Sequence, residues 1–401
     1  GDWSSDVCLP ISEFDAEGRY LRADFANLSV ISLYLPSGSA VASTWNPDLA
    51  RMTGEVLGEE ARGRGKDVIL GPSINIKRSP LCGRNFEYMS EDPVLTAAQG
   101  VAYIQGVQES DVAACAKHYA VNSQETDRLD VDETVSERAL REIYLPAFEA
   151  AVQDGGVLSV MGAYNLVNGT KCCEHKQLLD DILRDEYGFD GFVVSDWSAV
   201  RDTKASAEVG MDIELSVTPN FDDYYFANPL KKAVEDGDVK ESDVDGKVER
   251  VIAVMDALHM LGDAHASRKP GRYATLDHAA KALDIARESI VLLKNENSLL
   301  PLAKGEKVAV IGDFAKNPRY QGAGSSMVNS TQVDVLLDKL IDSELNVIGY
   351  QQGFDRHGKP DAALQKSACE LATQADTVIL CMGLDEIAES EGLDRSNLRL
   401  A

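Results

Sequence analysis

Asp196 invites a chemical reading first, because the apolar run Gly191-Phe192-Val193-Val194 stops at Ser195-Asp196-Trp197. A β-branched run bounded by glycine, with no polar face, reads as a buried parallel strand. A carboxylate at its C-terminal end stands where barrels and open α/β sheets carry out their chemistry. A lone strand-end Asp more often serves as the cap of a following helix. Other segments repeat the pattern. Val112-Ala113-Ala114-Cys115-Ala116 runs into Lys117-His118, and a strand over 157–161 delivers Gly162-Ala163-Tyr164-Asn165. Val68-Ile69-Leu70 is closed by Gly71-Pro72 and followed by a loop containing Cys82-Gly83-Arg84-Asn85-Phe86-Glu87. Each has a plain structural reading too: Lys117-His118 as a salt-bridging lysine beside a core histidine, Trp197 as a core aromatic beside its strand.

Helical patterns separate these strand ends. Pro47 and Asp48 suit the first turn of a helix reaching Arg64, a second covers 95–108, and Ser136 is placed to cap a third carrying Leu140, Ile143, Tyr144 and Ala147. A fourth spans 176–187, and Gly210-Met211-Asp212-Ile213-Glu214-Leu215 ends a fifth unit. One polar strand end is ordinary, whereas several in succession indicate a shared mouth. The alternation predicts a (β/α) barrel-like N-terminal domain over 40–262, ending in a helix over 240–260. A polar linker follows over 263–275 with Pro270-Gly271. From 276 a second domain is expected, an α/β sandwich opened by a helix over 276–293. Its parallel strands are Val308-Ala309-Val310-Ile311, Val347-Ile348 and Thr377-Val378-Ile379-Leu380. Gly312 is followed by Asp313 rather than a G-x-G-x-x-G run, and Gly322-Ala323-Gly324-Ser325-Ser326 lies beyond a loop, which disfavours a nucleotide site.

At 401 residues the chain exceeds what one core usually supports. Its 66 acidic against 39 basic residues give a net charge of −27, a surface that repels phosphate backbones and anionic lipid. No nucleic-acid or membrane partner is expected, and a neutral substrate fits better. Neither an apolar run of membrane-spanning length nor a basic-then-apolar leader is visible. The seven cysteines are odd in number, scattered and free of C-x-x-C, which argues against a disulfide scaffold and a zinc site. A cytoplasmic location is slightly favoured on these grounds, with a removed signal still compatible. Asn27, Asn168 and Asn329 lie in N-x-S/T triplets that matter only in a secreted protein.

With those motifs in view, residues 40–401 resemble glycoside hydrolase family 3, on its β-glucosidase side. The resemblance implies a barrel-like domain joined to an α/β sandwich with the active site between them. It puts the family nucleophile, an Asp in a strand-S-D-W context, on Asp196. The sugar-contacting motifs G-R-x-x-E, K-H and Y-N-x-x-N-G fall on Arg84, Lys117, His118 and Tyr164. S-E-G-x-D-R puts the acid/base carboxylate on Glu391, followed by Asp394 and Arg395; without the resemblance Glu391 would read as part of a solvated acidic loop. Retaining hydrolysis needs two carboxyl groups about 5 to 5.5 Å apart, one ionised to attack the anomeric carbon and one protonated to donate to the leaving oxygen. Near Lys117, Asp196 is expected to stay ionised, while desolvation of Glu391 would raise its pKa. Arg84, Lys117 and His118 are donors suited to sugar hydroxyls, and Trp197 offers an apolar wall. Lys117-His118-Tyr119-Ala120-Val121-Asn122-Ser123-Gln124-Glu125 lacks the downstream His of the β-N-acetylglucosaminidase branch, which favours a β-glucoside and leaves xyloside and arabinoside open. No cofactor or metal is implied.

Two departures stand against the family pattern. The early strand and D-G-P loop expected upstream of Pro36 are missing, and residues 13–39 instead resemble a sheet segment of exonuclease III-like nucleases. The chain also stops at Ala401, where the family's sandwich continues, so an apparently truncated or fused chain is expected. Three functions compete: a retaining β-glucosidase, a sugar-binding or interaction protein of the same shape that lost turnover, and remotely a phosphodiesterase. An incomplete sheet edge leaves room for a homodimer.

Overall fold

The computed structural model describes residues 45–327 and 333–398. The stretch over 13–39 that resembles a nuclease segment lies outside the described residues. The chain divides into two compact units, one of residues 45–79 and 88–273, the other of Pro80–Glu87 with the described residues from 274 onward.

The first unit is barrel-like. Its four-stranded sheet runs in the order β1 (Val68–Ile69), β2 (Ala113–Tyr119), β4 (Ser159–Gly162), β7 (Phe192–Ser195), all parallel. Ile213 adds an isolated parallel bridge to Val194. Between successive strands lie the helices Pro93–Gln108, Pro146–Gln153 and Gln177–Glu186. Sequence order therefore equals spatial order, as in a singly wound β/α barrel. The helix starts are written locally. Asn46 Oδ1 accepts from the Asp48 amide ahead of Pro47–Gly63, and Asp92 Oδ1 accepts from Val94 and Leu95 ahead of Pro93. Ser136 Oγ accepts from Ala139 as expected of a cap. The helix it starts widens to π turns over Leu140–Tyr144, immediately before Pro146, which has no amide to continue a regular ladder. Ala113, Cys115, Met161, Phe192, Val194, Val254 and Leu258 form the core beneath the strands.

A small second sheet lies in the same unit. β3 (Asp132–Glu133) pairs in parallel with β5 (Leu166–Val167), which forms a hairpin with β6 (Thr170–Lys171). Asn168-Gly169 make its turn, both at positive φ, as a two-residue hairpin loop requires. The stretch read as a linker is fastened to this unit: Arg268 Nη2 donates to Asp111 O at 2.8 Å, the Lys269 amide to Asp111 Oδ2 at 2.7 Å and the Arg272 amide to Glu59 O at 3.1 Å.

The second unit is the α/β sandwich domain. β8 (Lys307–Ile311) is central between β10 (Thr377–Leu380) and β9 (Asn346–Gln351), all parallel. Helices Leu336–Ile341 and Ala362–Ala372 make the crossovers. Val308, Val310, Leu337, Leu340, Ile379 and Cys381 are among its core residues. The opening helix is Leu276–Glu288, shorter than the 276–293 expected. Ser289 Oγ donates to Ala286 O at 2.8 Å, and the β-branched Ile290 and Val291 that follow disfavour another helical turn.

Among the described residues no helix is long and apolar enough to cross a membrane, and no group of three or more His, Cys, Asp or Glu is arranged to hold a metal. The described cysteines Cys82, Cys115, Cys172, Cys173, Cys369 and Cys381 are free thiols.

Candidate active site

Because β2, β4 and β7 are parallel neighbours, the residues that follow them emerge at one end of the first unit's sheet. Lys117 and His118 come from β2, Tyr164 follows β4, and Asp196 and Trp197 follow β7. The Asp196 amide donates to Gly162 O at 3.0 Å and the Ala163 amide to Tyr119 O at 2.8 Å, so the strand ends are tied backbone to backbone.

Asp196 is 5 % exposed, and its Oδ1 accepts from the Trp197 amide at 2.8 Å. His118, 1 % exposed, brings Nε2 to 3.6 Å from Asp196 Oδ2. Asn75 fixes that imidazole: its Oδ1 accepts from the His118 amide at 2.6 Å and lies 3.3 Å from Nδ1, while its Nδ2 donates to His118 O at 2.8 Å. Both ring nitrogens therefore face acceptor oxygens. Tyr164 is buried, with the Arg128 guanidinium 4.7 Å over its ring. Arg128 pairs with the buried Glu125 at 2.7 Å. Burial pushes the neighbouring Cys173 thiol well above its usual range, so it offers no thiolate to compete with the carboxylate.

Arg84 and Glu391 belong to the second unit. Arg84 is 3 % exposed and its Nε donates to Glu87 Oε1 at 2.5 Å. The short segment carrying it is stitched to the loop after β10: the Gly83 amide donates to Asp394 Oδ1 at 3.0 Å and the Arg395 amide to Leu81 O at 2.8 Å. Only glycine fits at 83, since a Cβ there would lie 1.7 Å from Leu393 O and 2.3 Å from Ser390 O. Glu391 is half-buried; its Oε2 accepts from the Ser325 hydroxyl, with the Ser325 amide at 3.3 Å. Gly324 has φ +79, and a Cβ there would meet Glu391 Cβ at 2.9 Å. The glycine-rich run over 322–326, weighed against a phosphate site in the sequence, therefore wraps a carboxylate. Two residues before Glu391, burial pushes the Glu389 carboxyl up to about 8.

Asp196, Lys117, His118, Tyr164 and Trp197 are thus gathered in one unit, Arg84 and Glu391 in the other. Sequence reasoning missed Asn75, Glu125, Arg128 and Ser325. Glu125 and Ser325 stand inside quoted motifs; Asn75 and Arg128 carry no local signal, because their partners are distant or lie on a turn.

Residues 27–254 match the model of the glycosyl hydrolase family 3 N terminal domain, and residues 290–401 match that of the family's C-terminal domain. The N-terminal match thus begins inside the stretch that resembles a nuclease segment. The chain is 42 % identical over 395 residues to a beta-glucosidase of Bacteroides ovatus, covering 91 % of this chain and 52 % of that protein. It is 40 % identical over 380 residues to an exo-alpha-(1->6)-L-arabinopyranosidase of Bifidobacterium longum, covering 92 % and 49 %. Among solved structures, the beta-glucosidase of Bifidobacterium adolescentis superposes with a TM-score of 0.83 at 39 % identity, covering 94 % of this chain and 55 % of that one. The chain spans about half the length of the curated relatives it matches. Matched across both family domains, with the fold of solved members, this chain belongs to glycosyl hydrolase family 3.

Proposed function

We propose that this chain carries the catalytic residues of a retaining β-glucosidase. Asp196 attacks the anomeric carbon of a terminal β-D-glucoside, and Glu391 donates a proton to the departing oxygen. Glu391 then takes a proton from the water that releases the sugar from Asp196. The observation that carries this reading is the buried Asp196 at the end of β7 with the His118 ring held against it by Asn75. A carboxylate fixed in that way is pre-aimed for attack, with no helix to cap: the next helix, Thr203–Ala207, takes its cap from Asp202 instead. Lys117, His118, Arg84 and Tyr164 orient the sugar hydroxyls as donors, and Trp197 gives the ring an apolar wall. Relatives of similar identity supply the choice of sugar: one carries the name beta-glucosidase, another arabinopyranosidase. Glucose is the primary assignment and α-L-arabinopyranose the second reading.

Release of nitrophenol from aryl β-D-glucoside and aryl α-L-arabinopyranoside tests both. Turnover of the glucoside, its loss in Asp196→Ala, and rescue of Glu391→Ala by azide support the assignment. Preference for the arabinoside selects the second reading. A folded chain inert on both substrates overturns the enzyme reading and leaves a sugar-binding protein.

A further inference from the structure

We infer that Arg319 is the positioning residue for the acid/base loop, a single buried guanidinium that gathers the segment delivering Glu391. The inference rests on the assignment of Glu391 above and adds to it the group that sets its place. The loops after β8 and β10 leave adjacent parallel strands at the same sheet end, so Arg319 on one faces Leu384–Ser390 on the other. Arg319 is 6 % exposed. Its Nη1 donates to Leu384 O at 3.3 Å, its Nη2 to Glu389 O at 3.1 Å, and its Nε to Gln321 O at 3.4 Å. Nη1 also lies 3.5 Å from Glu389 Oε2.

One side chain thereby spans the two ends of the turn before Glu391 and ties both to the loop after β8 that carries Ser325. The planar fork of five N–H donors does this; an ammonium group, with three donors on one atom, cannot reach all three carbonyls. Other contacts to the loop are peripheral by comparison. Arg356 meets Glu386 Oε1 at 3.1 Å and His357, itself 55 % exposed, meets Asp385, both through side chains rather than the backbone that leads to Glu391. Ala323 makes an isolated parallel bridge to Ser390, so the guanidinium at Glu389 and the bridge at Ser390 fix the two residues before Glu391.

The test uses the full chain and two aryl β-D-glucosides, one leaving as an acidic dinitrophenol and one as phenol. Only the second needs a well-placed proton donor. In Arg319→Lys, kcat for the phenyl substrate falls by on the order of 100-fold, as a misplacement of about 1 Å allows. The dinitrophenyl substrate loses only a few-fold. Hydrogen exchange of the 384–391 amides accelerates while that of β8 is unchanged, and in the wild type those amides exchange more slowly than the amides over 217–223. Equal losses on both substrates, unchanged exchange in the variant, or wild-type exchange as fast as over 217–223 overturns the inference. Glu391→Ala on the same substrates keeps the two readings apart. Its failure to show the leaving-group bias sinks the assignment of Glu391, whereas bias there and none in Arg319→Lys sinks the role of Arg319.

Discussion

Glu389→Gln removes one ionisable proton from the interior of the sandwich unit while keeping the shape of the side chain. Burial moves that carboxyl from its ordinary 4.5 up to about 8 in the folded chain. Below about pH 4.5 both folded and unfolded chains hold the proton. As the pH rises from there the unfolded chain releases it first, so the folded state binds more protons and stability falls with pH. The fall ends near pH 8, where the folded carboxyl also ionises. At about 1.4 kcal/mol per unit, the whole interval amounts to up to about 5 kcal/mol. The attraction of Arg395 is already contained in that value, and burial outweighs it. Chemical denaturation of wild type and Glu389→Gln at steps from pH 5 to pH 9 isolates the residue, since every other titration is common to both. The wild type should lose several kcal/mol relative to the variant across that range. Parallel curves, or a wild type that gains on the variant as pH rises, would show an ionised ion pair with a depressed pKa and refute the reasoning.

Gly324→Ala should lower stability by about 1 to 2 kcal/mol through its left-handed backbone. Because the added methyl presses on Glu391 Cβ, kcat on phenyl glucoside should fall while KM holds; an unchanged kcat would remove Glu391 from the assignment. Arg128→Ala removes the guanidinium paired with the buried Glu125 carboxylate and should cost roughly 3 to 5 kcal/mol by urea denaturation. Combining it with Glu125→Leu should recover most of that loss, and a double variant no better than the single would show that Arg128 acts through Tyr164 alone.

The strand ends were legible because each apolar run is bounded by glycine or a turn and halts at a polar residue, so the period and its interruption are both local. Asp196, Lys117, His118 and Tyr164 could be found that way, and parallel pairing of β2, β4 and β7 brings them to one sheet end. The companions of those residues were hidden. Asn75 reaches His118 across 43 positions, and Arg128 meets Tyr164 through a turn whose φ of +54 at Asp127 has no hydrophobic pattern to betray it. Gly322-Ala323-Gly324-Ser325 was disfavoured as a nucleotide site but given no other role, because glycines signal close backbone approach without saying what approaches; here it is Phe86 at Gly322 and Glu391 at Gly324. The end of helix Leu276–Glu288 was overrun since Leu292 and Leu293 continue the helical spacing while Ile290 and Val291 argue against it.

Residues 80–87 are encoded among the barrel strands yet fold with the sandwich, through the Gly83 amide on Asp394 and the Arg395 amide on Leu81. Modularity in this chain therefore does not follow the order of its codons. A chimera that exchanged everything after residue 273 for another family member's sandwich would import a new loop around Glu391 but retain the old segment around Arg84. With Gly83 seated against the carbonyls of Ser390 and Leu393, any side chain brought to position 83 would collide with that loop. Such an exchange keeps the contacts of Gly83 intact only when the eight-residue segment Pro80–Glu87 travels with the distant half.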